Sequence, residues 1–136
     1  MLGVLMIRYA VGVQKILVVD DELQMRRVLR ASLYAHGYEV VEAASGEEGL
    51  TKLSAGRYDC VLLDLNLPGL DGIDICRAIR ARSQVSIVVV SIRDSERDKA
   101  AARNAGADDY ITKPFGIDEL LSRIKSASRR KLGSRS

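Results

Sequence analysis

The chain has 136 residues, of which 47% are hydrophobic, and 21 basic against 18 acidic side chains leave a formal charge of +3. That length favours one domain with a real core and excludes wholesale disorder, and so small a charge does not by itself argue nucleic-acid binding. Two cysteines, Cys60 and Cys76, and a single histidine, His36, exclude a zinc cluster and fit reduced, buried thiols in a reducing cytoplasm.

Met1 to Val13 is apolar but broken by Arg8, and it is shorter than the roughly 18 to 20 apolar residues of a membrane span. It also lacks the charged start and small-residue cleavage site of a secretory signal. Residues 1–14 are therefore read as an N-terminal extension, with Met6 a second candidate start. Lys15–Val19 (KILVV) then reads as a buried strand ending in Asp20 and Asp21. From Glu22 to Ala35, Leu23, Val28, Leu29 and Leu33 recur at helical spacing, and Gly37 is the expected stop. Tyr38–Glu42 is a short second strand. Gly46–Ala55 is a helix opened by Ser45 with Glu48 three residues on, a capping-box pattern.

Asp59–Asp64 is the third strand and Asp71–Arg82 the third helix, with Ile73, Cys76, Ala78 and Ile79 expected inside. Val85–Val90 is too short and too β-branched for anything but a strand. A helix over Ser95–Ala105 stops at Gly106, and Asp108–Thr112 forms a fifth strand. Gly116–Arg130 is the last helix, which makes 15–130 the domain and 131–136 a loose tail or linker stub. Five strand-then-helix repeats predict an α/β fold: a doubly wound parallel sheet, helices on both faces, right-handed crossovers.

Ligands of such sheets bind outside the carboxyl ends of the strands. The residues at those ends are Asp20 and Asp21, Asp64, Ser91 and Lys113. Each alone has an ordinary explanation as a cap or a solvated turn residue; all of them on one edge do not. Three close carboxylates repel and call for a hard cation, and an oxygen-only ligand set suits Mg²⁺ or Mn²⁺. Such a cation also neutralises an incoming phosphoryl group. Lys113 is placed to pair with one phosphoryl oxygen and Ser91 to hydrogen-bond another, which leaves Asp64 as the nucleophile.

The segments VVDDE, LLDLNLPGLDG, VVVS, GADDY and TKPF together resemble the receiver domain of two-component response regulators, from Lys15 to about Arg130. The resemblance implies a CheY-like three-layer sandwich with strand order 2-1-3-4-5. It implies Asp64 as phosphoacceptor, Asp21 as direct metal ligand, Asp20 reaching the metal through water, and the Asn66 carbonyl as a further ligand. Ser91 takes the place of the switch hydroxyl, Tyr110 that of the switch aromatic, and Lys113 that of the family's lysine, before a bond to Pro114 that is usually cis. A sensor histidine kinase is the implied donor, and the face made by the fourth helix, fifth strand and fifth helix is the implied output.

That face resembles the OmpR/PhoB-type subfamily, and SIRDSERDK and KPFGIDEL its Kdp-type members. The likeness implies a symmetric dimer with Lys99 paired to Glu119 and Asp109 to Arg123 across it, against the alternative of solvated charges or pairs within one chain. It also implies DNA contact only through a C-terminal domain absent from these 136 residues. One departure stands out: after the switch hydroxyl the family usually has Ala or Gly, and here Ile92 and then Arg93 follow. Both are expected to gate the site against small phosphodonors and water.

Other readings compete for the same residues. A haloacid-dehalogenase-type phosphatase needs Asp-x-Asp after its first strand, where this chain has adjacent acids. A flavodoxin needs a Ser/Thr/Gly-rich loop where Glu22-Leu23-Gln24-Met25 stands, and no Walker loop is present. A pseudo-receiver that binds without phosphorylation, or a stand-alone receiver with no DNA-binding output, stays open as an alternative.

Overall fold

A computed structural model describes residues 14–135, with side chains as far as residue 129. The reading of Met1 to Val13 lies outside the described residues. Strands β1 (Lys15–Val19), β2 (Glu39–Ala43), β3 (Cys60–Leu63), β4 (Ser86–Ser91) and β5 (Asp109–Thr112) alternate with helices α1 (Leu23–Ala35), α2 (Gly46–Ala55), α3 (Gly72–Arg82), α4 (Glu96–Asn104) and α5 (Ile117–Arg135). The strands form one parallel sheet in the order β2-β1-β3-β4-β5.

Side chains alternate across each strand and so feed two cores. Ile16, Val18, Leu62, Val88 and Ile111 meet α1 and α5 through Leu29, Leu33, Leu120 and Ile124. Leu17, Val19, Val61, Leu63, Ile87 and Val89 meet α3 and α4 through Ile75, Ile79, Ala102 and Ala105, with Leu50 and Leu53 of α2 packed against them. Both faces being covered explains why the strand sequences read as unbroken apolar runs. No helix among the described residues is long and apolar enough to cross a membrane.

Several boundaries and faces differ from expectation. β2 starts one residue late because the Tyr38 amide donates to Leu33 O at 3.1 Å, closing α1 beside Gly37 at φ 91°. β4 also starts late, since the Val85 amide donates to Ser83 Oγ at 3.0 Å and not to the sheet. It keeps Ser91, which pairs with Thr112. The inner face of α3 is Ile75, Cys76 and Ile79, while Ile73 and Ala78 are only half-buried. On α1, Leu23 and Val28 are exposed, so only Leu29 and Leu33 of the apolar periodicity serve the core. α5 runs to Arg135 where a loose tail was expected from 131. Gly133 is the one poor helix former in that stretch, and a single glycine costs only about 1 kcal/mol.

The expected cap of α2 is present: Ser45 Oγ accepts from the Glu48 amide at 3.1 Å, and Glu48 reaches back to the Ala44 amide at 3.1 Å, one residue before the cap. Ser45→Ala is expected to cost about 1 kcal/mol in urea unfolding, with phosphoryl acceptance unchanged in the folded protein. A loss under about 0.3 kcal/mol would leave the cap without weight.

Candidate functional site

The carboxyl ends of β1, β3, β4 and β5 bring the residues read from the sequence to one edge. Asp20 follows β1 and is 3% exposed, Asp64 follows β3 at 6%, and Ser91 closes β4 with no exposure at all. Asp21 is exposed, and oxygens of Asp20, Asp21 and Asp64 all lie within 4.8 Å of one another. From the loop after β5, Lys113 Nζ reaches Asp20 Oδ2 at 3.2 Å and Asp64 Oδ2 at 3.6 Å, next to a cis bond to Pro114.

Local hydrogen bonds fix these acids. Asp20 Oδ1 accepts from the Glu22 amide at 2.9 Å, and Asp64 Oδ1 from the Asn66 amide at 3.1 Å. Burial pushes the Asp64 carboxyl above its ordinary value, opposed by the Asn66 amide and the Lys113 ammonium and reinforced by the charges of Asp20 and Asp21. A carboxyl raised in the folded state favours folding while protonated, and its ionisation as pH rises toward neutral costs stability unless positive charge is nearby. Lys113 already supplies one such charge and the carboxyl is still raised. The three acids offer oxygen only, clustered and partly exposed through Asp21, which fits a hard divalent cation and no softer one. The same burial logic makes the cysteines inert: Cys60 is held well above the ordinary thiol range and Cys76 is pushed up to about 11.

The rim of the site is built by Arg93. Its Nε donates to Asn66 Oδ1 at 2.9 Å, and its guanidinium lies 3.8 Å from Asp71, the N-cap of α3. Its amide donates to Ser91 Oγ at 3.0 Å and its carbonyl accepts from the Tyr110 hydroxyl at 2.6 Å. Tyr110 is half-buried, and burial raises its phenol. Ile92, between Ser91 and Arg93, is 67% exposed.

The charges assigned to a dimer face have partners within the single chain. Arg123 lies 3.2 Å from Asp109 and 4.0 Å from Glu119, and Lys99 lies 3.7 Å from Glu96. Two contributors went unnoticed in the sequence. Gly72 brings the start of α3 against the backbone after Asp64, its amide donating to Leu65 O at 3.0 Å. Arg26 donates to the Asp20 carbonyl at 2.8 Å. Both contacts are near in sequence but join the loop after a strand to the helix that follows it; for Gly72 a glycine just inside a helix start was the available signal, and for Arg26 there was none.

Comparison with known proteins points one way. Residues 16–125 match the response regulator receiver domain. The chain is 46% identical over 115 residues to the KDP operon transcriptional regulatory protein KdpE of Escherichia coli K12, covering 85% of this chain and 51% of that protein. It thus spans about half the length of the curated relatives it matches. A receiver domain protein (CheY-like) from Methanospirillum hungatei JF-1 superposes with a TM-score of 0.84 at 31% identity, over 90% of this chain and 99% of that one. TrrA of Thermotoga maritima, in complex with Mg²⁺–BeF, gives 0.77 at 36% identity over 84% and 98%.

Proposed function

The chain belongs to the response regulator receiver domain family, and from that premise we propose that it is a phosphorylation-activated signalling switch with Asp64 as the acceptor. The observation that carries the proposal is a nearly buried carboxylate ringed by two further acids and a lysine at the ligand-binding edge of the sheet. The donor is a phosphohistidine of a sensor histidine kinase. An Asp64 oxygen attacks phosphorus; the O–P bond forms as the N–P bond breaks, and the imidazole leaves with that electron pair and takes a proton. Lys113 meets the charge of the transferred group and the Ser91 hydroxyl donates to one of its oxygens.

Mg²⁺ or Mn²⁺ held by Asp20, Asp21, Asp64 and the Asn66 carbonyl supplies further charge neutralisation when bound; the complex of the similar TrrA with Mg²⁺–BeF supports that choice. The modified Asp64 carries about −1.5 to −2 charge and draws Ser91 inward. That breaks the Ser91–Arg93–Tyr110 chain of hydrogen bonds and alters the face of α4, β5 and α5. On that face Lys99, Asp109, Glu119 and Arg123 exchange their partners within the chain for those of a second copy, so that the phosphorylated domain dimerises. Transcriptional output follows from the regulators it resembles, DNA being contacted through a further C-terminal domain, in the cytoplasm.

The test is intact mass after incubation with Mg²⁺ and either acetyl phosphate or a phosphorylated kinase, beside Asp64→Ala. One base-labile phosphoryl adduct, absent from the variant, is expected. No adduct from any donor on folded protein would favour a binding module that works without phosphorylation. Ile92 and Arg93 gate the rim in this reading. Ile92→Ala is expected to take phosphate from acetyl phosphate several-fold faster, and equal rates would remove Ile92 from that role.

A further inference from the structure

We propose that Arg26 is a positioning residue for the cation site, acting through the peptide that joins its two acids. The inference rests on the metal reading given above. Among the described residues no hydrogen bond or ion pair holds the Asp21 side chain. Its direction is set by the backbone from which it hangs, the Asp20–Asp21 peptide. The carbonyl of that peptide is Asp20 O, the atom to which Arg26 donates at 2.8 Å.

The guanidinium is itself fixed. Its Nε donates to Glu42 Oε1 at 3.2 Å, near the end of β2, and Arg30 holds the other Glu42 oxygen at 3.0 Å. The Arg26 side chain is only 14% exposed. Lys52 from α2 donates to the Glu42 carbonyl, so β2 is tied on its other side as well. The Asp20 amide donates to Ala43 O at 3.1 Å. Asp20 is thereby held at its amide, its carbonyl and both carboxylate oxygens, and for Asp21 the peptide plane sets where the side chain starts and so which of its rotamers reach the site. A planar fork that binds two acceptors at once is what locks such a plane, and a lysine offers no equivalent. Groups that orient metal ligands from outside typically change affinity about 10- to 100-fold.

The proposal has a sign that simple electrostatics opposes. Arg26 places a positive charge beside an acidic cluster, so removing it should strengthen cation binding if charge alone mattered. If orientation matters, removing it weakens binding. The experiment is a Mg²⁺ titration at constant ionic strength, followed by the amide resonances of Asp21 and Asn66, for wild type, Arg26→Met, Arg26→Lys and Glu42→Ala, with melting temperature measured alongside. Arg26→Met is expected to raise the Kd about tenfold, and Arg26→Lys to fall nearer to Arg26→Met than to wild type. Glu42→Ala, which frees the guanidinium but leaves it in place, should raise the Kd several-fold, and it stands in if Arg26→Met does not fold. Unchanged or tighter binding in Arg26→Met with a lowered melting temperature would make Arg26 a structural residue only and overturn the proposal. Absence of Mg²⁺ binding by the wild type would instead remove the metal reading, and the proposal with it.

Discussion

Gly72→Ala is expected to destabilise the domain by about 3 kcal/mol, at the upper end of what overpacking usually costs. A Cβ at this position would lie 2.3 Å from Leu65 Cα, 2.7 Å from Leu65 O and 2.8 Å from Asp64 O. All three are backbone atoms, so no rotamer change relieves the contact. The strain falls on the segment that leaves Asp64, and relaxing it moves the Asn66 amide that holds Asp64 Oδ1. Urea unfolding should show the lost stability, and the protein that remains folded should accept phosphate more slowly. Gly69→Ala is the contrast. Gly69 has φ 86° with nothing within 4 Å of its Cβ, so its cost is conformational, about 1 kcal/mol. Equal stabilities for the two variants would contradict the close-approach argument.

Asp108→Ala is expected to cost a similar amount, about 3 kcal/mol, for a different reason. Asp108 Oδ2 accepts from the Ile87 amide at 2.8 Å and from Arg80 at 2.9 Å, while its own amide donates to Ile87 O at 2.8 Å. It thus takes both backbone groups of Ile87 one residue before the β4–β5 register begins at Val88 and Asp109. Arg80 is 20% exposed and also donates to the Gly106 and Ser83 carbonyls, joining α3 to the turn before β5. Truncation leaves the Ile87 amide without its acceptor and removes the counter-charge of a half-buried guanidinium, which keeps only its carbonyl partners. Asp108→Asn, which keeps an acceptor, should lose less, and Arg80→Met combined with Asp108→Ala should fall well short of the sum of the two. Because Asp108 sits at the opposite edge from Asp64, phosphate acceptance by the folded fraction should persist. Additive losses would show that the two residues act separately.

The layout of the fold was legible because both faces of the sheet are covered, which turns strands into continuous apolar runs that Gly37 and Gly106 punctuate. The edge that carries Asp20, Asp21, Asp64, Ser91 and Lys113 followed from the residues at the strand ends. What the sequence hid was set by how neighbouring elements meet in space. Ile75 is fully buried on α3 while Ile73 only packs against the margin of the same core, a rotation fixed by the Asp71 cap and the approach of Gly72 to Leu65. Ile92 and Arg93 look alike as bulky neighbours of Ser91, yet Ile92 is largely exposed and Arg93 spans to Asn66. The role of Arg26 needed the position of Glu42 on another strand. Asp109 and Arg123, placed across a dimer by resemblance, meet within one chain.

The central claim is that Asp64 itself takes the phosphoryl group, and it is tested most directly by locating the bond. The protein is phosphorylated with Mg²⁺ and a phosphorylated kinase, reduced with borohydride, digested, and its peptides sequenced by mass spectrometry. Reduction turns an acyl phosphate into an alcohol and leaves a free carboxylate alone. Homoserine at position 64, and at neither 20 nor 21, is the predicted result. Homoserine at another acid, or an intact Asp64 in protein that carries phosphate, would contradict the claim.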